Sequence, residues 1–301
     1  MSFKYYHIAL FVCLSGSVFS QSYLNRFLKP SDTLHKPRRN AVIITEASLA
    51  TATLISLDRL WYADYPRSKF KTINDSGEWL QMDKFGHVFS SYQLGRVGAN
   101  VLKWAGLSKK DQLIFGSTLG FGFLTAVEVM DGFSEEWGFS WTDMVANTVG
   151  AGFYVGQELL WQEQRVVLKY SFHRKHFAKL RPDKLGNGLS EEFLKDYNGQ
   201  TYWLSANINS FFKTDYIPNW LNIAFGYGAD GMLTGDANDP LFLNQDRIRQ
   251  YYLSLDIDLS RIKTKSRFLK TVFDVFNLIK IPFPAIELNS KGRLKAHYLY
   301  F

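Results

Sequence analysis

Asp83, His87, Glu128 and Asp143 sit on or beside apolar segments and have the residue types of proton-transfer or ion-binding groups. In "DKFGH", Asp83 and His87 lie four apart, one helical turn, where a carboxylate can orient an imidazole or share a proton with it. In "VEVMDG", Glu128 and Asp131 are three apart, and in "SWTDMVANTVGAG", Asp143 and Asn147 are four apart, so each pair shares a helix face. A carboxylate withdrawn from water costs several kcal/mol unless it is paired or protonated, so acids in such surroundings imply partners or a task. If the three pairs converge, His87 is the candidate general acid or base and Asp83 orients it. Glu128 and Asp143 then hold a cation or a second proton, with Lys84, Asp131, Ser140 and Asn147 as binding groups around them.

Each residue also has a structural alternative. Asp83 can cap its helix, and Asp143, three residues after Ser140, stands where a capping-box acid belongs. Asp131 before Gly132 reads as a helix end, and His87 as a helix-contact histidine. Glu128 resists this treatment because "LTAVEVM" surrounds it with apolar neighbours, and a partner such as His87 or Lys84 would stabilise its charge.

Four helical segments must position these groups: about Val42 to Trp61, Lys84 to Trp104, Ser108 to Met130 and Ser140 to Trp161. The first has the composition of a packed helix. The third opens on "SKKD", a capping pattern, and carries Gly116, Gly120 and Gly122 at spacings that permit close helix contact. Its apolar run, Leu113 to Met130, is near the lower limit for a membrane span.

Beyond Arg165 the apolar period changes to two. Strands are expected at Arg165 to Phe177, Tyr202 to Phe212, Trp220 to Ala229 and Tyr251 to Ile262, followed by a hairpin that turns at "NSKG". Alternation ending on Phe301 is the pattern of an outer-membrane barrel, yet six strands fall short of the smallest barrel. In the last strand the face in register with Phe301 also carries Arg293, Lys295 and His297. A lipid-facing small or partial β-barrel and a curved antiparallel sheet packed on the helices both remain open. "FLKTVFDVFNLIK", Phe268 to Lys280, reads as an amphipathic helix able to lie on a membrane or cover a sheet edge.

The chain of 301 residues, 46% hydrophobic, can bury one or two cores. Its first residues follow the charged, apolar, small-residue order of an export signal, with cleavage expected near Ser20. Cys13, the single cysteine, lies inside that apolar run, so the mature chain holds no cysteine and disulfide or thiolate chemistry is excluded. The domains expected are a signal peptide at 1–20, a Pro-containing linker at 21–40, a helical domain at 41–162 and a strand-rich domain at 163–301. Of the net charge of +7, much falls in "RVVLKYSFHRKHFAKLRPDK", where Arg174 and Lys175 are candidates for binding anionic headgroups. The alternative is a solvated basic strand and turn. No phosphate loop, nucleophile elbow or zinc signature is present, and His173 and His176 in "HRKH" would face opposite sides of a strand, so no metal or cofactor is expected.

"DKFGHVFSSYQL" followed by "EVMDGFSEEWGFSWTDMVANTVGA" resembles the YfiM-like predicted periplasmic lipoproteins, a family of unknown function. More distantly it is similar to the VanZ-like membrane proteins, in an order carried here by Asp83, Lys84, His87, Glu128, Ser140, Asp143, Asn147 and Gly150. "KDYNGQTYWLS" and "YYLSLDIDLSRI" also resemble the longer members of the first family. The resemblance implies an α+β chain, with a four-helix VanZ-like bundle followed by the strand-rich half, in the periplasm or at the outer membrane. The expected role is structural or lipid-binding, and the alternative is an envelope hydrolase or transferase acting on a lipid-linked or peptidoglycan-derived substrate. Expected partners are membrane lipid or an anionic envelope glycolipid, with an envelope protein as a further candidate and no nucleic acid.

Overall fold

The computed structural model describes residues 23–63 and 65–301; Cys13 and the cleavage position expected near Ser20 fall outside them. The chain is α+β, with long helices in its first half and a six-stranded antiparallel sheet in its second. The long helices are α1 (Lys36–Leu57), α2 (Met82–Trp104), α3 (Leu119–Gly132) and α4 (Trp141–Leu160).

The expected linker is partly helical and docked. Residues 23–27 form a helical turn, the Trp104 indole donates to Phe27 O at 2.7 Å, and His35 N–H donates to Ala105 O at 2.9 Å. His35 then caps α1, which starts ahead of its expected position. The packed-helix expectation for α1 is corrected: only Val42 is buried, while Ile43, Ile44, Leu49 and Ile55 are exposed. Packing is concentrated instead among α2, α3 and α4. A Cβ on Gly120 of α3 would lie 2.3 Å from Ser91 O, and one on Gly150 of α4 would lie 2.3 Å from Val88 O. Two helices thus close on the same turn of α2, just after His87. Gly122 meets nothing within 4 Å and takes no part.

Ahead of α2, Trp79, Leu80 and Gln81 have φ of 47°, 51° and 65°. Left-handed backbone costs about 1–2 kcal/mol per non-glycine residue. The second half holds it in place: Leu80 O accepts from Arg249 Nη1 at 3.0 Å and from the Tyr227 hydroxyl, and Trp79 N–H donates to Gly235 O at 3.0 Å. Gln81 is the N-cap position, so Asp83 lies inside the first turn and does not cap the helix.

Two short strands, β1 (Thr72–Ile73) and β2 (Phe139–Ser140), pair in parallel and bring the segment before α2 to the start of α4. The large sheet runs in sequence order: β3 (Val166–Phe172), β4 (Gln200–Asn207), β5 (Leu221–Asp230), β6 (Ile248–Ile257), β7 (Phe283–Asn289) and β8 (Leu294–Tyr300). All the expected strands form, with shifted ends. The first stops at Phe172, so His173 and His176 follow it in a loop, and residues 208–212 are a helical turn rather than strand.

The outer face of the sheet is apolar, and its inner face combines a polar cluster with the buried aromatic rings of Trp203, Tyr252 and Tyr300. Lys169, Ser205, Asn222 and Asp256 are fully buried, whereas Leu204, Phe225, Leu253 and Ile286 are exposed. Lys169 Nζ lies 2.7 Å from Asp256 Oδ2, which also accepts from Ser205 Oγ at 2.6 Å. A buried ion pair needs such added hydrogen bonds to offset its desolvation. Among the described residues β3 does not pair with β8; residues 278–280 meet the free edge of β3 through hydrogen bonds to Tyr170. The parity reading of the last strand is also corrected. A bulge between the pairs Phe283–Tyr300 and Ala285–His297 turns His297 towards Glu287 at 2.7 Å and also buries Tyr300. The amphipathic helix α5 (Arg267–Phe276) is held through Asp274, which receives Arg96 at 2.8 Å and Asn100 at 3.0 Å, and leaves Phe268, Leu269, Val275 and Phe276 exposed.

Gly120→Ala should therefore destabilise the protein by roughly 1–3 kcal/mol through overpacking, whereas Gly122→Ala should be neutral or stabilising by up to about 1 kcal/mol. Thermal unfolding of the two variants in one detergent measures the contrast. A second expectation concerns Lys280, which burial pushes down to about 8, with Asp256 opposing. The unfolded lysine titrates near ~10.4, so between these values the unfolded chain binds the proton more tightly and stability rises with pH. Lys280→Met should abolish a rise of roughly 2–3 kcal/mol across that window, read from denaturant melts of both proteins at each pH.

Candidate functional site

The close approach of α2, α3 and α4 brings most of the singled-out residues into one cluster. α2 contributes Asp83, Lys84 and His87, α3 contributes Glu128, and α4 contributes Asp143 and Asn147. Lys84 Nζ is the hub, at 2.6 Å from Asp75 Oδ2, 3.0 Å from Asp83 Oδ2 and 2.7 Å from Asp143 Oδ1. His87 Nδ1 contacts Asn147 Oδ1 at 3.0 Å. On the other side of the ring, Nε2 stands 3.8 Å from Asp83 Oδ1, 3.7 Å from Glu128 Oε1 and 3.8 Å from Asp143 Oδ1.

The capping expectation for α4 is half met. Ser140 caps the helix, its Oγ accepting Asp143 N–H at 3.1 Å. The Asp143 carboxylate, however, pairs with Lys84 instead of closing the capping box. The Ser140 N–H goes to Glu128 Oε2 at 3.1 Å, so the acid of α3 takes the place that local sequence assigns to Asp143. Glu128 is buried despite its charge type because this donor and His87 both face it.

Electrostatics divide the acids into two kinds. Burial opposes ionisation of Asp75, yet Lys84 and the Ser140 and Thr142 hydroxyls hold its carboxyl down at about 2. Asp83 is likewise lowered, with burial outweighed by His87, Lys84 and a 2.7 Å hydrogen bond from Tyr197. Burial pushes Glu128 up to about 8 and, with Asp83 adding to it, Asp143 up to about 7. Burial also works against the Lys84 and His87 cations, but the surrounding carboxylates raise both.

Asp131 does not join the cage. Its carboxylate accepts from the Tyr62 hydroxyl at 2.6 Å, and burial raises it to about 7. Arg174 and Lys175 lie in the second half and are committed within the chain, Arg174 to Glu192 and Lys175 to Asp230 at 3.2 Å. Sequence reasoning missed Asp75, Tyr197 and Tyr62. Asp75 lies in the polar stretch before α2, where its spacing from Lys84 matches no helical repeat; Tyr62 comes from the helical turn that continues α1 and Tyr197 from the turn before β4, each far in sequence from its carboxylate partner.

A cleft of about 250 Å³ runs between the helices and the sheet. Asp83, His87 and Tyr197 lie along it with Leu124, Phe193 and Leu278, so a polar end meets an apolar wall. The side chains of Asp83 and His87 are 24% and 16% exposed, against 2% for Glu128 and 5% for Asp143. Asp83 and His87 are thus the accessible edge of the cluster.

Residues 73–157 match the family model described as Predicted periplasmic lipoprotein (DUF2279), a family of unknown function. The matched stretch contains α2, α3, most of α4 and every charged member of the cluster. It supports an exported location in the cell envelope or periplasm and an envelope-associated protein of unknown activity. Comparison with curated proteins and with solved structures finds no match.

Removing the hub should be costly. Lys84→Met leaves Asp75, Asp83 and Asp143 without their shared ammonium and should lower stability by about 3–5 kcal/mol. Lys291→Met, which breaks an exposed pair with Asp246, should shift the melting temperature far less. Adding Asp75→Asn to Lys84→Met should recover part of the loss, because one orphaned charge is removed with it.

Proposed function

We propose that this chain is a membrane-associated protein of the cell envelope that holds an amphiphilic envelope molecule in the cleft between helices and sheet. The polar end of the molecule lies against Asp83 and His87, and its apolar chain lies along Leu124, Phe193 and Leu278. The observation that carries this reading is the cleft itself, whose mainly apolar and aromatic lining also includes Asp83 and His87, the exposed edge of a buried charge cluster.

Three apolar surfaces support membrane association. The outer face of the sheet, the exposed side of α5 and the uncovered α1 all present large apolar side chains. α1 and the segment Lys109–Gly132 are each long and apolar enough to cross a membrane by length and composition. In the finer reading, lipid covers α1 and completes a four-helix, VanZ-like arrangement at the outer membrane. The resemblance of the ordered motif from Asp83 to Gly150 to YfiM-like and VanZ-like proteins is in keeping with it. Arg174 and Lys175 carry less of the lipid contact than His87, since each already has a carboxylate partner.

A second reading is an envelope hydrolase or transferase on a lipid-linked substrate. It draws on the exposure of Asp83 and His87 at the cleft, with His87 near enough to exchange a proton with a bound molecule, Asn147 holding the far side of its ring and Asp83 a second acid beside it.

Native mass spectrometry of protein extracted gently from membranes tests both. The wild type should carry a co-purifying amphiphile, and Leu124→Asp should lose it while keeping the fold by circular dichroism. Protein that is released completely by carbonate and carries no bound lipid would refute the binding reading. A heavier, unprocessed amphiphile accumulating only on His87→Gln would favour the enzyme.

A further inference from the structure

We propose that His87, Asp83, Glu128 and Asp143 bind one divalent transition-metal ion at the point where the imidazole of α2 faces carboxylates from all three packed helices. The distances lead to this. His87 Nε2 has oxygens of Asp83, Glu128 and Asp143 at 3.8, 3.7 and 3.8 Å, all beyond hydrogen-bond reach. A tetrahedral ion with bonds of about 2.1 Å holds its ligand atoms roughly 3.4 Å apart; the ligand atoms of Asp83, His87 and Asp143 lie within 4.8 Å of one another and would draw inward to close on an ion, with Glu128 Oε1 at the margin, 3.7 Å from Nε2.

The far side of the ring has the partner a ligating histidine needs. With Nδ1–H donating to Asn147 Oδ1 at 3.0 Å, the Nε2 lone pair is directed at the three oxygens. A lone pair facing carboxylates is repulsive unless a cation lies between them. The carboxylates are themselves held from outside: Asp83 by Tyr197 at 2.7 Å, Asp143 by Lys84 at 2.7 Å, and Glu128 through Oε2 by Ser140 N–H at 3.1 Å, which leaves Glu128 Oε1 for the centre. That outer support is characteristic of metal ligands.

Asp143 Oδ1, buried and facing Nε2, has the Lys84 ammonium at 2.7 Å as its one close partner and keeps lone-pair capacity on the side of the ring. The ligand set of one imidazole nitrogen and carboxylate oxygens suits Mn²⁺, Fe²⁺ or Zn²⁺ better than Mg²⁺ or Ca²⁺, which favour oxygen alone. The cleft at Asp83 and His87 is the entry path. This inference stands apart from whether an amphiphile occupies the cleft.

Elemental analysis of full-length protein purified without chelator, followed by titration of EDTA-stripped protein with Zn²⁺ and with Mn²⁺, tests it. One equivalent of metal per chain and a metal-dependent rise in melting temperature are expected. His87→Gln and Asp143→Asn should each weaken binding by about 100-fold or more, whereas Asp215→Asn, an exposed carboxylate elsewhere, should leave it intact. Should the cage variants fail to fold, the wild-type stoichiometry, the melting shift and the absorption spectrum of the Co²⁺ form still decide. No retained metal together with no shift by either ion overturns the proposal, as does binding that survives both cage substitutions, since such ions are adventitious.

Discussion

One ammonium group joins the parts of the site. Lys84 sits among Asp75 from the segment before α2, Asp83 beside it, and Asp143 from α4, and its charge makes three neighbouring carboxylates compatible with burial. Much else follows from that arrangement. Asp75, held in place, engages Ser140 and Thr142 and so fixes the start of α4. With Asp143 drawn to Lys84, the Ser140 N–H is free for Glu128, which binds α3 to the same point. His87 then stands inside a cage whose walls come from three helices.

The cage depends as much on small residues as on charged ones. Charges on three helices can meet only if their backbones approach closely, and Gly120 and Gly150 permit this by removing Cβ atoms that would collide with carbonyl oxygens of α2. The sheet contributes from the other side. Tyr227, Arg249 and Gly235 hold the left-handed turn at Trp79–Gln81, which sets the position and direction of α2. A strained turn persists only where its surroundings over-determine it. Its place next to a charge cluster therefore links the geometry of the site to the integrity of the strand-rich half.

That half inverts the usual order of a water-soluble sheet. Lys169, Asp256, Ser205 and Asn222 satisfy one another within it, while leucine, phenylalanine and isoleucine face outward. Outward apolar side chains are stable where the surrounding medium is apolar, which agrees with an exported envelope protein. The apolar sides of α1 and α5 extend the same surface chemistry to both halves.

Local periodicity was enough to place the four long helices and the six strands, because apolar spacing of 3.6 and of 2 reports which face each element turns from water. Caps at Ser108 and Ser140 were equally legible, since a cap is an interaction between residues three apart. The sequence also marked Glu128 as needing partners and put His87, Asp83 and Asp143 on faces able to supply them. Only the tertiary structure decided how those partners are shared. Asp143 forsakes its capping box, Asp83 its cap and Asp131 the cluster, and Asp75, Tyr197 and Tyr62 reach their partners across spacings that no helical repeat provides. It also left α1 uncovered and, through a bulge, reversed the parity of the last strand. The physical reason is that a buried charge is stabilised by whichever opposite charge or donor the packing brings within a few ångströms. That choice is made by helix contacts and loop paths between residues far apart in the chain, which local spacing does not encode.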